Sequence, residues 1–244
     1  MIKVNYIGRM GNNMFQYSFG RILAEELGMH LVSNPIPEFR ATYQSVPGKS
    51  NNTDVLIVDD SNCKDILDKK ESLVDKSLLL NGFFQQYTLY KPYKERLRQW
   101  FKPKKMIEKA KEADIVIHIR LGDYMSTLIP SHWALPAEYY LSCIEMSSAK
   151  NIHIVTDDPN HSFLNNFSKL NPKIINGNVI QDFTYLTSAK KIILSRSSFS
   201  FWVGFLSEAE EIYSPNPDKG LWADGRQDLF VDDEERYKLV SVEV

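Results

Sequence analysis

The apolar positions of this chain fall into short strand-like runs separated by stretches with helical spacing. Ile2-Lys-Val-Asn-Tyr-Ile7 alternates apolar and polar residues, as a strand does. Gly8-Arg-Met-Gly-Asn-Asn13 follows, with two glycines that permit a tight turn and an Asn12 or Asn13 suited to capping a helix. From Met14 the spacing becomes helical: Phe15, Phe19, Ile22, Leu23 and Leu27 recur on one face, and Gly28 is placed to end the helix. A second strand is expected over His30–Ser33. Asn34 to Asp54, rich in Pro, Ser, Asn and Thr, reads as a loop. Val55–Val58 and Leu78–Leu80 read as short buried strands, and Tyr87–Phe101 as a helix whose start Pro92 delays.

The second half alternates more cleanly. Strands are expected over Asp114–Ile119, Asn151–Thr156, Lys191–Ser195 and Glu211–Ser214, with a weak strand near Val179. Helices are expected over Pro136–Ser147, Ser162–Leu170 and Phe201–Leu206, with one more that Asp182 is placed to cap. Strands separated by helices argue for parallel sheets covered on both faces. Lys91–Glu112 carries nine basic and three acidic residues and few large apolar ones after Phe101. The boundary is therefore placed within 103–112, giving an N-terminal Rossmann-like domain over 1–105 and a C-terminal one over 106–244.

Composition narrows the class. The 244 residues are 43% hydrophobic and 25% charged, which suits a globular α/β protein. A formal net charge of −2 argues against a general nucleic-acid binder. The two cysteines, Cys63 and Cys143, fit no metal spacing and no disulfide framework, so a reducing cytoplasm is the simplest compartment. No apolar run approaches a membrane span, and Met1–Ile7 lacks the marks of a signal peptide. The basic run Lys91–Lys111 has two readings. A solvated helix face and linker is the plainer one, and peripheral contact with the anionic inner face of a membrane is the other.

Four stretches carry candidate chemistry. Ile115-Val-Ile-His-Ile-Arg-Leu-Gly-Asp-Tyr124 is an apolar strand that ends in a polar cluster. Ligands in open α/β sheets bind beyond such strand ends. Arg120 suits a two-pronged grip on a phosphate, and equally a salt bridge with Asp123. His118 lies in the strand, where a core histidine is the simplest reading. Arg196-Ser-Ser-Phe-Ser200 offers hydroxyls and free N–H groups at a strand-to-helix turn, suited to an anion or to plain helix capping. Asp157 and Asp158 follow another strand, where a carboxylate can accept from a base or ribose, or cap the next helix. Gly8–Asn13 matches neither the G-x-G-x-x-G fingerprint nor a P-loop. No D-x-D triplet, zinc-spaced Cys/His cluster or G-x-S-x-G elbow occurs, so no metal site and no cofactor are expected.

Together these stretches resemble glycosyltransferase family 11, the α-1,2-fucosyltransferases. Gly8-Arg-Met-Gly-Asn-Asn-Met-Phe-Gln-Tyr17 is similar to the family's opening G-G-L-G-N-Q-M-F-Q-Y, and His118-Ile-Arg-Leu-Gly-Asp-Tyr124 to its H-x-R-R-G-D-Y. Asn81-Gly-Phe-Phe-Gln85 resembles a G-Y-F/W-Q segment and Thr156-Asp-Asp158 an S-D-D segment. Ser197-Ser-Phe-Ser-Phe-Trp202 resembles S-S-F-S-W-W. The resemblance implies a GT-B-like α/β fold of two Rossmann-like domains facing a cleft, acceptor side first and donor side second. It implies metal-independent, inverting transfer from GDP-fucose to a hydroxyl, the 2-hydroxyl of a galactoside, on an oligosaccharide or lipid-linked glycan. Carried over, Arg120 binds the diphosphate with His118 beside it, and Gly11 and Asn12 reach the donor from the other domain. Asp157 or Asp158 holds the nucleoside, and Ser197, Ser198 and the Phe199 backbone complete the cradle. Asp123 is the nearest general base, or else the anchor of Arg120. Among the departures from the pattern, Leu121 replaces the second arginine, Asn13 the glutamine and Phe201 a tryptophan. A different GDP-sugar donor, or a non-catalytic glycan or nucleotide-sugar binder, is the rival reading.

Overall fold

The computed structural model describes residues 1–49, 54–69, 73, 76–104, 109–125, 134–216 and 228–242. By internal contacts the chain forms two compact units, Met1–Lys104 with Trp222–Leu229, and Lys105–Leu221 with Phe230–Val244. The expected division at one boundary left out the return of the chain to the first unit. Its described anchor is Asp228, whose N–H donates to Gln85 O (2.7 Å) and whose carbonyl accepts from Tyr87 N–H (2.6 Å). Residues 105–108 of the expected boundary lie outside the described residues.

The first unit is built on β1 (Ile2–Val4), α1 (Met10–Leu27), β2 (Leu31–Val32), β3 (Asp54–Val58), α2 (Cys63–Asp68) and β4 (Lys76–Leu80). Two short helices, α3 (Tyr87–Tyr90) and α4 (Lys94–Trp100), follow. All strand pairs are parallel, in the order β2-β1-β4-β3. Helix α1 buries Phe15, Phe19, Ile22 and Leu23, four of the five residues whose spacing predicts it, together with Met14, and Leu27 is half-buried. Gly28 closes it with φ +61° and donates its N–H to Ala24 O. The helix begins earlier than expected: Arg9 is its N-cap, and no side chain caps it. Asn12 and Asn13 therefore sit in the first turn rather than before it. Pro92 replaces the middle of the expected helix over Tyr87–Phe101 with a 3-10 turn, Lys91–Tyr93, because it has no N–H for the ladder. Within 34–54, a 3-10 turn over Arg40–Tyr43 is held by Thr42, whose hydroxyl donates to Phe39 O and accepts from Ile36 N–H.

The second unit runs β5 (Ile115–Ile119), α5 (Ala137–Ser147), β6 (Ile152–Thr156) and a nine-residue 3-10 stretch, Ser162–Leu170. It continues with β7 (Lys173–Ile175), α6 (Val179–Thr187), β8 (Lys191–Ile193), α7 (Ser198–Leu206), β9 (Glu211–Pro215) and β10 (Tyr237–Val240). All pairs are again parallel, in the order β10-β9-β8-β5-β6-β7. Renumbered within this unit, that order reads 3-2-1-4-5-6, the arrangement of dinucleotide-binding sheets. Ile115, Ile117, Ile119 and Leu121 pack with Tyr139, Tyr140, Cys143 and Ile144 of α5 in one buried cluster. The expected strand near Val179 is displaced to Lys173–Ile175, and the helix starts where that strand was placed. Asn178 and Gln181 form its capping box, and Asp182 instead accepts from Gly177 N–H at 2.9 Å. At the far end of α7, Arg236 donates to the carbonyls of Gly204 (3.0 Å), Ser207 (2.9 Å) and Ala209 (3.3 Å), tying β10 to that helix.

Candidate active site

In a sheet of this order the crevice opens where neighbouring strands lead away in opposite directions. That point lies between β5 and β8. The residues at and beyond the ends of these two strands are His118–Tyr124 and Leu194–Ser200, two of the stretches singled out by their chemistry. The sheet brings them together across 70 or more residues of sequence.

His118, in β5, is 5% exposed. Its Nδ1 lies 2.6 Å from Ser200 Oγ and 2.9 Å from Ser195 Oγ, and the two hydroxyls are 2.9 Å apart. The Phe199 ring lies 4.9 Å from the imidazole, centroid to centroid. Burial, and secondarily the Arg120 charge, lower the His118 pKa to about 3, so the ring is neutral at ordinary pH. It is thus a buried histidine whose hydroxyl partners join β5 to the start of α7. Among the described residues nothing hydrogen-bonds its Nε2.

Arg120 is gripped from two sides. Its Nη2 donates to Asp123 Oδ1 (2.5 Å) and its Nη1 pairs with Asp157 Oδ2 (2.5 Å). The guanidinium also lies 5.5 Å from the Tyr124 ring centroid. The salt bridge to Asp123, one of the two sequence readings, is therefore formed. Asp157 also anchors the backbone, because its Oδ1 accepts from Leu121 N–H at 2.9 Å. Gly122 makes this approach possible, since a Cβ there would lie 2.5 Å from Asp157 Oδ2. Asp158 does local work, accepting from Asn160 N–H at 3.3 Å. Asp182 is close enough to Asp157 to feel its charge, and burial chiefly raises the Asp182 pKa.

At the start of α7, Ser197 is a true N-cap whose Oγ accepts from Ser200 N–H at 3.0 Å. Ser198 and Phe199 contribute helix-start N–H groups with no intrahelical carbonyl to receive them. Arg196, one residue earlier, is 4% exposed. Sequence reasoning named the turn it begins without giving it a role.

The first unit has its own strand-end cluster. Gln16, fully buried, accepts from Ile7 N–H (3.1 Å) and Asn13 Nδ2 (3.2 Å) and donates to Gly82 O (3.0 Å). Gln85 Nε2 donates to Asn12 Oδ1 at 2.9 Å. Asp60 accepts from Phe83 N–H (3.0 Å) and Phe84 N–H (2.6 Å) and supports Phe84 at φ +55°. Gly8, at φ +83°, leaves room for Asn12, whose side chain a Cβ at position 8 would strike. The opening motif and Asn81–Gln85 thus meet at the ends of β1 and β4. Gln16, Gln85 and Asp60 are the members that sequence reasoning gave no part. The first two stood inside the quoted motifs, whereas nothing local marked Asp60.

The sequence profile of glycosyl transferase family 11 matches residues 75–230, more than half of the chain. The chain belongs to glycosyl transferase family 11. The match takes in β4, Asn81–Gln85 and the whole cluster around Arg120. An α-1,2-colitosyltransferase of Escherichia coli is 31% identical over 144 residues, 51% of this chain and 50% of that protein. The chain thus spans about half the length of the curated relative it matches. A crystal structure of POFUT1 in complex with GDP-fucose aligns with a TM-score of 0.50 over 85% of this chain and 94% of the other, at 8% identity. That likeness is one of fold, and with the two parallel sheets it bears out the GT-B-like α/β class expected for a family 11 protein. Another POFUT1 structure, with GDP, aligns less well, at a TM-score of 0.38 and 9% identity over 63% of this chain and 59% of that one.

Among the described residues no three His, Cys, Asp or Glu side chains come together as metal ligands. No helix among them is long and apolar enough to cross a membrane. Both cysteines are buried free thiols. In the basic run, Arg96 pairs with Glu25 at 2.8 Å and Lys104 lies 4.0 Å from the Tyr43 ring centroid.

Proposed function

We propose that this protein is an inverting glycosyltransferase that moves a fucosyl group from GDP-fucose to a sugar hydroxyl, the 2-hydroxyl of a galactoside, without a metal ion. The observation that carries this reading is the position of Arg120. In a family 11 chain, it stands at the switch point of a 3-2-1-4-5-6 sheet, beside a serine-capped helix start.

The chemistry follows from the charges. The acceptor hydroxyl oxygen attacks the anomeric carbon from the side opposite GDP, the bond to the diphosphate oxygen breaks through an oxocarbenium-like transition state with GDP as leaving group, and the hydroxyl proton passes to solvent water as the new C–O bond forms. Negative charge grows on the leaving phosphate. Arg120 and the N–H groups of Ser198 and Phe199 stabilise it more in the transition state than in the ground state. Asp123 and Asp157 hold the guanidinium in one orientation. We assign Asp123 this positioning role rather than that of general base. Asn12 and Gly11 are counted among the donor-binding residues in this reading, as the likeness of Gly8–Tyr17 to the family's opening motif implies. The acceptor is an oligosaccharide or a lipid-linked glycan, reached at the cytoplasmic face.

A second reading, transfer from another GDP-sugar, has a specific observation in its favour. The E. coli relative is named for transfer of colitose, and Leu121 removes one arginine from the signature. Release of GDP from a panel of GDP-sugars, with a galactose-terminated acceptor present, separates the two. GDP-fucose as the preferred donor supports the first reading, and preference for another GDP-sugar supports the second. Arg120→Ala is expected to abolish transfer with the fold intact, and normal turnover in that variant would sink the phosphate assignment.

A further inference from the structure

Arg120 does not arrive at the switch point as a free cation. Its single positive charge is shared by the Asp123 and Asp157 carboxylates, both paired with it. The three side chains together carry −1. A diphosphate adds further negative charge, so this cluster by itself would repel the ligand it is meant to hold.

A second arginine follows the neighbouring strand. β8 pairs with β5 as far as Ile193 and Ile117, and Arg196 comes three residues after β8, next to Ser195, whose Oγ lies 2.9 Å from His118 Nδ1. Both arginine charges act on the same Tyr124 hydroxyl. Arg196 is buried, and burial lowers its pKa to about 10, against the opposing pull of Tyr140, Tyr139 and Tyr124. Holding a guanidinium in such surroundings is costly, which argues for a role beyond packing.

Leu121 gives that role a direction. It replaces the second arginine of the signature and packs in the cluster that contains Tyr139 and Tyr140. Tyr139 and Tyr140 are also the residues whose electrostatic pull acts on the Arg196 guanidinium. A cation missing at position 121, just beyond β5, is thus supplied to the same surroundings from beyond the end of the neighbouring strand.

We propose that Arg196 is the second cation of the donor diphosphate site, taking over the charge that Leu121 cannot supply. The proposal rests on the GDP-sugar reading above and assigns its phosphate subsite one more residue. It also explains how the site tolerates two carboxylates on Arg120: the four side chains together are neutral, and the diphosphate meets two forks rather than one.

The test compares GDP with guanosine by titration calorimetry on the full chain, for the wild type, Arg196→Gln and Arg196→Lys. Arg196→Gln is expected to lose GDP affinity ~10-fold or more, the scale of one hydrogen-bonded charge, with guanosine affinity unchanged. Arg196→Lys keeps the charge and loses the fork, so a smaller loss for GDP alone, roughly threefold or more, is expected. If the Gln variant does not fold, the Lys variant decides. GDP affinity equal to wild type in the folded variants would overturn the proposal. So would a parallel loss of GDP and guanosine, which marks a structural role. If the wild type binds guanosine and GDP equally or neither, the GDP-sugar reading itself falls, and the variants are then not needed to see it.

Discussion

At the residue scale, the two halves of the His118–Asp123 motif do different work. His118 is a buried neutral ring that locks β5 to α7 through two serine hydroxyls. Its pKa, lowered from 6.5 to about 3, has a consequence for stability. As pH falls below about 6.5 the unfolded chain takes up a proton that the folded chain refuses. Stability therefore rises with pH across this window, by about 1.4 kcal/mol per pH unit from this group, until the unfolded pKa is reached. Urea denaturation between pH 4 and 7 should show this slope reduced by about that amount in His118→Gln. An unchanged slope would mean the ring is not held neutral. Asp123 separates base from anchor. In its anchoring role, Asp123→Asn retains turnover within about 10-fold of wild type, whereas loss of a general base costs ~100-fold or more. Steady-state kinetics on that variant decides between them.

At the element scale, legibility followed the range of the interactions. Strands β5 and β6 and helix α1 were readable because their apolar patterns are local and nearly complete. The start of α1 was misplaced because Asn12 and Asn13 look like caps, yet Asn13 donates to Gln16 and Asn12 accepts from Gln85. Helix α2 and strand β10 were not foreseen. They are short, and their partners are far away in sequence. The turn at Phe83–Phe84 is the clearest case: Asp60 holds it from 23 and 24 residues away, a distance that no window of pattern spans. Its importance can be measured. Asp60→Ala should cost about 2 to 3 kcal/mol of stability, since charge-assisted bonds to two N–H groups are lost, and Asp60→Asn should cost less. Equal, negligible losses in denaturant titrations would show that the turn holds itself.

At the scale of the whole molecule, both sheets place sequence motifs beyond the ends of their central strands, β1 and β4 in one unit, β5 and β8 in the other. The sequence motifs marked these stretches because their polar side chains cluster within a few residues of one strand end. They did not reveal that Asp157 joins Asp123 on Arg120, or that the turn holding Arg196 follows the strand beside β5, because these relations arise only from strand order. For the molecule as a whole, transfer should persist in EDTA, and a strict requirement for a divalent ion would contradict the diphosphate site proposed. The most direct test of the central claim is GDP release from GDP-fucose in the presence of a galactose-terminated acceptor, with the product's anomeric configuration read by NMR. The account predicts acceptor-dependent GDP release and an α-linked product. Absence of release from every GDP-sugar, or release without an inverted linkage, would contradict it.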